Sequence, residues 1–299
     1  MVRGIDKFRE FFEGFEDNYV IIGGTACDIH EEANALPPRA TKDIDMILVV
    51  EALSSDFVAK FWEFVRHADY DNRNRGVNEK DGHEHEYYRF MKPQDLSFPY
   101  QVELFSRNLG LMNFPEDMHI TPVPVPDNLS SLSAILMDDD YYNFTITHSL
   151  LLEGVHIANI ESLICLKCKA YLEMVGRKEN GEHEDSRDIA KHKKDVFRLI
   201  AMLAPSDRFV LPMRLESDVR EFCEAVKHDL PNSDFLKSAG IFNISSQQLK
   251  EQLERCFFEC DKIIVGSKKS WSLSHSASKR KNEVGFAADG GQKINSWTK

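Results

Sequence analysis

Asp43 and Asp45 stand at i and i+2 in Thr-Lys-Asp-Ile-Asp-Met-Ile-Leu-Val-Val (41–50), and Met46 to Val50 is an apolar, largely β-branched run. Such a run reads as a buried strand. Side chains two apart on a strand point to one face, so the two carboxylates lie side by side. Like charges on an otherwise buried element need a counter-charge, since each makes the other harder to ionise. A pair of divalent cations supplies it, because Mg²⁺ takes hard oxygen ligands held on a rigid element. An edge strand with both carboxylates hydrated is the competing reading of Asp-x-Asp taken alone.

The elements that must position this pair sharpen the choice. Upstream, Tyr19-Val20-Ile21-Ile22 reads as a second apolar strand, followed at once by Gly23-Gly24-Thr25 and a helix-like stretch from Ala26 to Leu36. Strand, Gly-Gly-Thr, helix is a phosphate cradle: glycines let a ligand approach the backbone, and a helix N-terminus favours negative charge. Arg39 and Thr41 shortly precede the aspartates, and Arg39 is a candidate phosphate contact.

Ile22-Gly23-Gly24-Thr25 followed, one helix later, by Asp43-Ile44-Asp45-Met46 resembles the nucleotidyltransferase superfamily of DNA polymerase beta. The resemblance implies a third carboxylate on a later strand between apolar neighbours. Glu103, in Tyr100-Gln101-Val102-Glu103-Leu104-Phe105, fits that place. The chain departs in having Thr25 where many members carry Ser, and in a longer Gly24-to-Asp43 spacing. Asn159 to Ala170, with Lys167 and Lys169, and Lys191 to Leu199, with Asp195, look like the second half of the bacterial AbiE-type abortive-infection toxins. The resemblance covers Tyr19 to Leu203.

What the resemblance implies is an α/β (α+β) fold, a mixed sheet with flanking helices followed by a helical C-terminal domain. It further implies Mg²⁺- or Mn²⁺-dependent transfer of a nucleoside monophosphate from a nucleoside triphosphate such as ATP to a hydroxyl. Asp43, Asp45 and Glu103 would hold the metals. Gly23, Gly24, Thr25, Arg39, Lys167 and Asp195 would serve the nucleotide. The acceptor would be RNA, such as a tRNA end, or a protein, in a toxin–antitoxin or phage-defence pair with a cognate partner protein. An antitoxin that nucleotidylates its partner toxin, and a non-catalytic nucleotide-binding partner protein, are the alternatives.

Lys167 is informative without any resemblance. Its helical neighbours Leu163, Ile164, Ala170 and Tyr171 are apolar or aromatic. A lysine in such a stripe must snorkel, pair with an acid such as Asp195, or face a cavity that takes negative charge. Lys169 is less centred in the stripe.

The chain of 299 residues is long enough for two modest domains, and its formal charge of −12 argues against general nucleic-acid coating. Seven basic residues against two acids lie in Gly266–Lys299. That segment has no apolar periodicity and reads as a disordered basic tail. The expected division is a catalytic domain over 1–155, a helical domain over 156–265 that closes the nucleotide cleft, and the tail over 266–299. With no signal-like or membrane-spanning run, a cytoplasmic location without membrane contact is expected.

The six cysteines fit a reduced compartment, and Cys165-x₂-Cys168 and Cys256-x₃-Cys260 read as helix-face packing in preference to zinc half-sites. His83-Glu84-His85-Glu86 reads as a polar hairpin shoulder and Asp138-Asp139-Asp140 as a solvated segment end. A Phe-rich helix is expected over 5–15, a helix over 56–67, a loop over 69–84, strands over 86–91 and 100–105, and irregular or edge structure over 115–126. Tyr142–Ile146 and Leu150–Glu153 are expected to form a hairpin, with helices from Glu161 to near Ile264.

Overall fold

Apolar β-branched runs become strands and capped amphipathic runs become helices. In chain order these are α1 (Ile5–Phe11), β1 (Tyr19–Ile22), α2 (Gly23–Ala33), β2 (Asp43–Leu48), α3 (Ser55–Ala68), β3 (Tyr70–Asp71), β4 (Arg89–Pro93) and β5 (Gln101–Arg107). They continue as β6 (Ile120–Val123), β7 (Leu132–Met137), α4 (Asp139–Thr147), β8 (Ser149–Leu152), β9 (Val155–Ala158), α5 (Ile160–Glu179), α6 (Ser186–Ile200), α7 (Met213–Ala225), α8 (Ser233–Ser238) and α9 (Ser246–Phe258). The structure, a computed structural model, describes residues 2–71, 88–107, 120–123 and 132–258. The His83–Glu86 motif, most of the 69–84 loop, Cys260 and the 266–299 tail lie outside the described residues.

The result is a mixed α/β fold, a sheet flanked by helices with further helices after the last strand. The sheet runs β3-β4-β5-β2-β1-β9-β8, with β7 beside β5 and β6 beside β7. β1 and β2 are antiparallel, whereas β2 and β5 run parallel. One face carries an aromatic core. Phe8 and Phe12 of α1 meet Tyr19 of β1 and Phe57, Phe61 and Phe64 of α3, and Phe61 reaches Phe90 of β4. These six α1, α3 and β1 rings are essentially fully buried, and each contributes roughly 1.5–3 kcal/mol through burial alone. Helices α5 and α6 close the opposite face around the site. The expected boundary at 155/156 falls inside one compact unit, Met1–Cys260.

Two expectations are corrected. Tyr142–Ile146 is helical, within α4, and the hairpin joins β8 to β9 across Glu153-Gly154, both in the left-handed region. The reason is the cap: Asp138 accepts from Asp140 N and Tyr141 N, starting a helix despite the β-forming Tyr, Phe, Thr and Ile that follow. Helix α2 begins at Gly23 itself and stops at Ala33, because Ala35 has φ +56° and Leu36 precedes two prolines. Asp138 thus also caps a helix, and the acidic triplet follows the end of β7 with its three residues exposed, as expected.

Candidate active site

The site is a row across four strands. Ile22 pairs with Asp45, Asp45 with Glu103, and Glu103 with Arg89. Register partners on neighbouring strands face the same way, so these four side chains share one face. Asp43 joins them by the period of two. The three carboxylates expected to converge are therefore carried by one face of two parallel strands, and Ile44, Met46, Val102 and Leu104 turn to the buried opposite face.

Their electrostatics are strained. Burial, and then the neighbouring Glu103 and Asp43 carboxylates against the pull of Lys167, pushes the Asp45 carboxyl up to about 6. Burial also raises Asp43, and its Oδ1 is buried without a hydrogen-bond partner. Glu103 is answered by Arg89, whose Nε donates to its Oε1. Lys191 on α6, an exposed lysine, acts on both aspartates.

The glycines are required where they stand. Gly23 has φ +69°, and a Cβ there would overlap Asp45 Oδ2. A Cβ on Gly24 would sit 2.7 Å from Thr41 Oγ1 and 2.9 Å from Arg39 Nη2. Thr25 is fully buried, and its hydroxyl donates to the Asp43 carbonyl at 2.6 Å. That bond braces the start of α2 against β2. Asp28, which sequence reasoning passed over, folds the approach to β2: its carboxylate accepts from Arg39 N at 3.2 Å and Thr41 N at 2.6 Å.

The helices supply cations to the opposite wall. Lys167 Nζ lies 2.9 Å from Asp195 Oδ2, with both side chains almost fully buried, and Arg39 Nε lies 3.4 Å from Asp195 Oδ1. The buried Asp195 would be raised by desolvation, but Lys167 and Arg39 hold it below its ordinary value. Of the readings open for Lys167, pairing with Asp195 is realised, and Lys167 also lines the cavity. Lys169 pairs with Glu173 instead. A second buried pair, Arg198 with Glu31 (2.6 Å to each oxygen), also ties Arg198 to the Pro37 carbonyl and so fixes the same loop. His192 is held neutral, down to about 4, by burial and then by Lys167. Asp28, Glu31, Arg198 and His192 carried no local motif; only His192, one residue past Lys191 on the Lys-Asp helix, could have been flagged.

Between these walls is a cavity of about 370 Å³. Gly23, Asp45, Lys167, Lys169, Asp138, Glu173 and His192 give it polar groups; Ile22, Phe105, Met137, Leu163, Leu166, Ala170 and Tyr141 give it an apolar and aromatic lining. A small charged ligand with one flat apolar portion is what such a lining accepts.

Asp43 and Asp45 suit a divalent cation: adjacent hard oxygens, one of them buried and unsatisfied. Among the described residues, no three His, Cys, Asp or Glu side chains stand together closely enough to hold a metal as placed. Glu103 is paired with Arg89.

No protein-family model and no curated protein matches the chain. Among solved structures, it is similar to that of a candidate nucleotidyltransferase from H. pylori, at 15% identity over 91% of this chain and 97% of that one, with a TM-score of 0.34. A likeness of that extent leaves function to rest on the residues themselves. No described helix is long and apolar enough to cross a membrane.

Proposed function

We propose that the chain is a nucleotidyltransferase that moves a nucleoside monophosphate from a nucleoside triphosphate to a hydroxyl group. The observation that carries this reading is the row itself: Asp45 and Glu103 in register on parallel strands, Asp43 beside them, packed on Gly23 at the start of α2 and facing Lys167 across the cavity.

The N-terminus of α2 at Gly23-Gly24 takes the phosphates, whose negative charge its free backbone N–H groups and dipole favour. Lys167, oriented by Asp195, neutralises the triphosphate from the helical wall, and Arg39 approaches from the loop. The apolar part of the cavity receives the base. Asp43 and Asp45 would hold Mg²⁺ or Mn²⁺, which when bound supplies positive charge to the triphosphate oxygens, and Glu103 would complete the set. The acceptor oxygen bonds to the α-phosphorus, the bond from that phosphorus to the bridging oxygen breaks, and pyrophosphate leaves. The hydroxyl proton passes to Glu103.

RNA ends and protein hydroxyls both meet these requirements as acceptors. A role as the toxin of a toxin–antitoxin pair, or as an antitoxin acting on its partner toxin, rests on the AbiE-type resemblance of the second half. Incubating the protein with each labelled triphosphate and a cell lysate tests the reading. Label in a macromolecule, dependent on Asp45, supports it; no label with any triphosphate overturns it. A second reading, nucleotide binding without transfer, has one observation in its favour: Glu103 is already engaged by Arg89. Triphosphate binding with no label at all would select it.

A further inference from the structure

Arg89 is set beside Glu103 by the backbone. β4 runs antiparallel to β5, and Arg89 is the register partner of Glu103, as Asp45 is on the opposite flank. Three neighbouring places of one row therefore read Asp45, Glu103, Arg89. Glu103 stands between a carboxylate that repels it and a guanidinium that attracts it. The Arg89 side chain is 42% exposed and that of Glu103 only 12%. The arginine has room to leave toward water, whereas the glutamate can change partner only within the site.

We propose that Arg89 is the resident counter-ion of Glu103 and that it competes with a divalent cation for that carboxylate, so that Arg89 sets how tightly the site takes its metal. The inference rests on reading Asp43, Asp45 and Glu103 as a cation site. Without a cation, the Arg89 contact removes one negative charge from a crowded row and keeps Glu103 folded into it. With a cation beside Asp45, Glu103 gains a second attractive partner on its other side. A carboxylate oxygen directed at one is directed away from the other. Arg89 is thus a positioning residue, acting through Glu103.

The test is a Mn²⁺ titration of the full chain, with free Mn²⁺ read by electron paramagnetic resonance, on wild type, Arg89→Gln, Glu103→Gln and the double variant. Arg89→Gln is expected to tighten Mn²⁺ binding about five-fold, the equivalent of an ion pair of about 1 kcal/mol. Arg89→Lys should stay close to wild type, because it keeps the charge. In the Glu103→Gln background, Arg89→Gln should change nothing, since the coupling runs through that one carboxylate. Unchanged affinity in Arg89→Gln overturns the proposal, as does an effect of equal size with Glu103 removed. Asp45→Asn separates the two levels of inference. If it binds Mn²⁺ as wild type does, or if wild type binds none, the cation site itself is wrong. If binding needs Asp45 but ignores Arg89, only the role of Arg89 is wrong.

Discussion

On the strand wall of the cavity, carboxylates outnumber their partners: Asp43 keeps a buried oxygen without a donor, Asp45 is pushed up to about 6, and only Glu103 meets an arginine. On the helix wall each acid has a cation paired with it inside the protein, Asp195 with Lys167 and Arg39, and Glu31 with Arg198, although Asp195 Oδ2, like Asp43 Oδ1, is buried outside hydrogen-bond geometry. Buried ion pairs hold elements in place, whereas buried carboxylates without a paired cation have charge left for a ligand. Under the proposed function, this difference places the metal-holding carboxylates on the strands and the cations that face the triphosphate on the helices and the loop before β2.

Breaking the helix-wall pairs should cost the most stability. Lys167→Met leaves Asp195 buried with only the more distant Arg39, so we expect a loss of about 3 kcal/mol in chemical denaturation. Asp195→Leu added to Lys167→Met should recover most of the loss. A double variant no more stable than the single would mean that Lys167 contributes only by packing.

Gly23→Ala probes the seam between the walls. A left-handed φ and overlap with Asp45 Oδ2 predict a loss of about 1–3 kcal/mol together with loss of transfer. Gly24→Ala meets side-chain ends that can yield, so its cost should be smaller. Equal effects at the two positions would contradict the packing of Asp45 on Gly23.

Asp45 on the strand wall and His192 on the helix wall should respond oppositely to pH in metal-free protein. The folded value of Asp45, about 6, lies above its ordinary 3.8, so between these values the folded chain binds more protons. Its contribution to stability therefore falls as pH rises through that window. The folded value of His192, about 4, lies below its ordinary 6.5, so the unfolded chain binds more protons there. Its contribution rises with pH. Melting curves from pH 4 to 6.5 should thus show the wild-type slope turn more positive in Asp45→Asn and more negative in His192→Gln, each by about 1–2 kcal/mol across the window, discounted for partial exposure. Slopes that move the same way would remove the contrast.

Much of the strand wall was legible in sequence. Strand, Gly-Gly and Asp-x-Asp are local signals, and Glu103 was picked out because the resemblance implies a third carboxylate between apolar neighbours on a later strand. The hairpin over Tyr142–Ile146 was misread because β-forming residues outweighed the Asp138 cap. The helix wall was legible as a lysine out of place with Asp195 as a candidate partner. Arg198 meets Glu31 across 167 positions, and Arg89 reaches Glu103 through strand pairing, so no local pattern announced either. The smallest expected effect lies at another such link: Thr25→Val should cost about 1 kcal/mol through the lost bond to Asp43.

The most direct test of the carboxylate row is the fate of labelled phosphorus. Protein, lysate and Mn²⁺ are incubated with triphosphate labelled at either the α- or the γ-position, using wild type and Asp45→Asn. Nucleotidyl transfer predicts α-label in a macromolecule, γ-label only in released pyrophosphate, and at least a hundred-fold drop in Asp45→Asn. Incorporated γ-label, or α-label undiminished in Asp45→Asn, would contradict it.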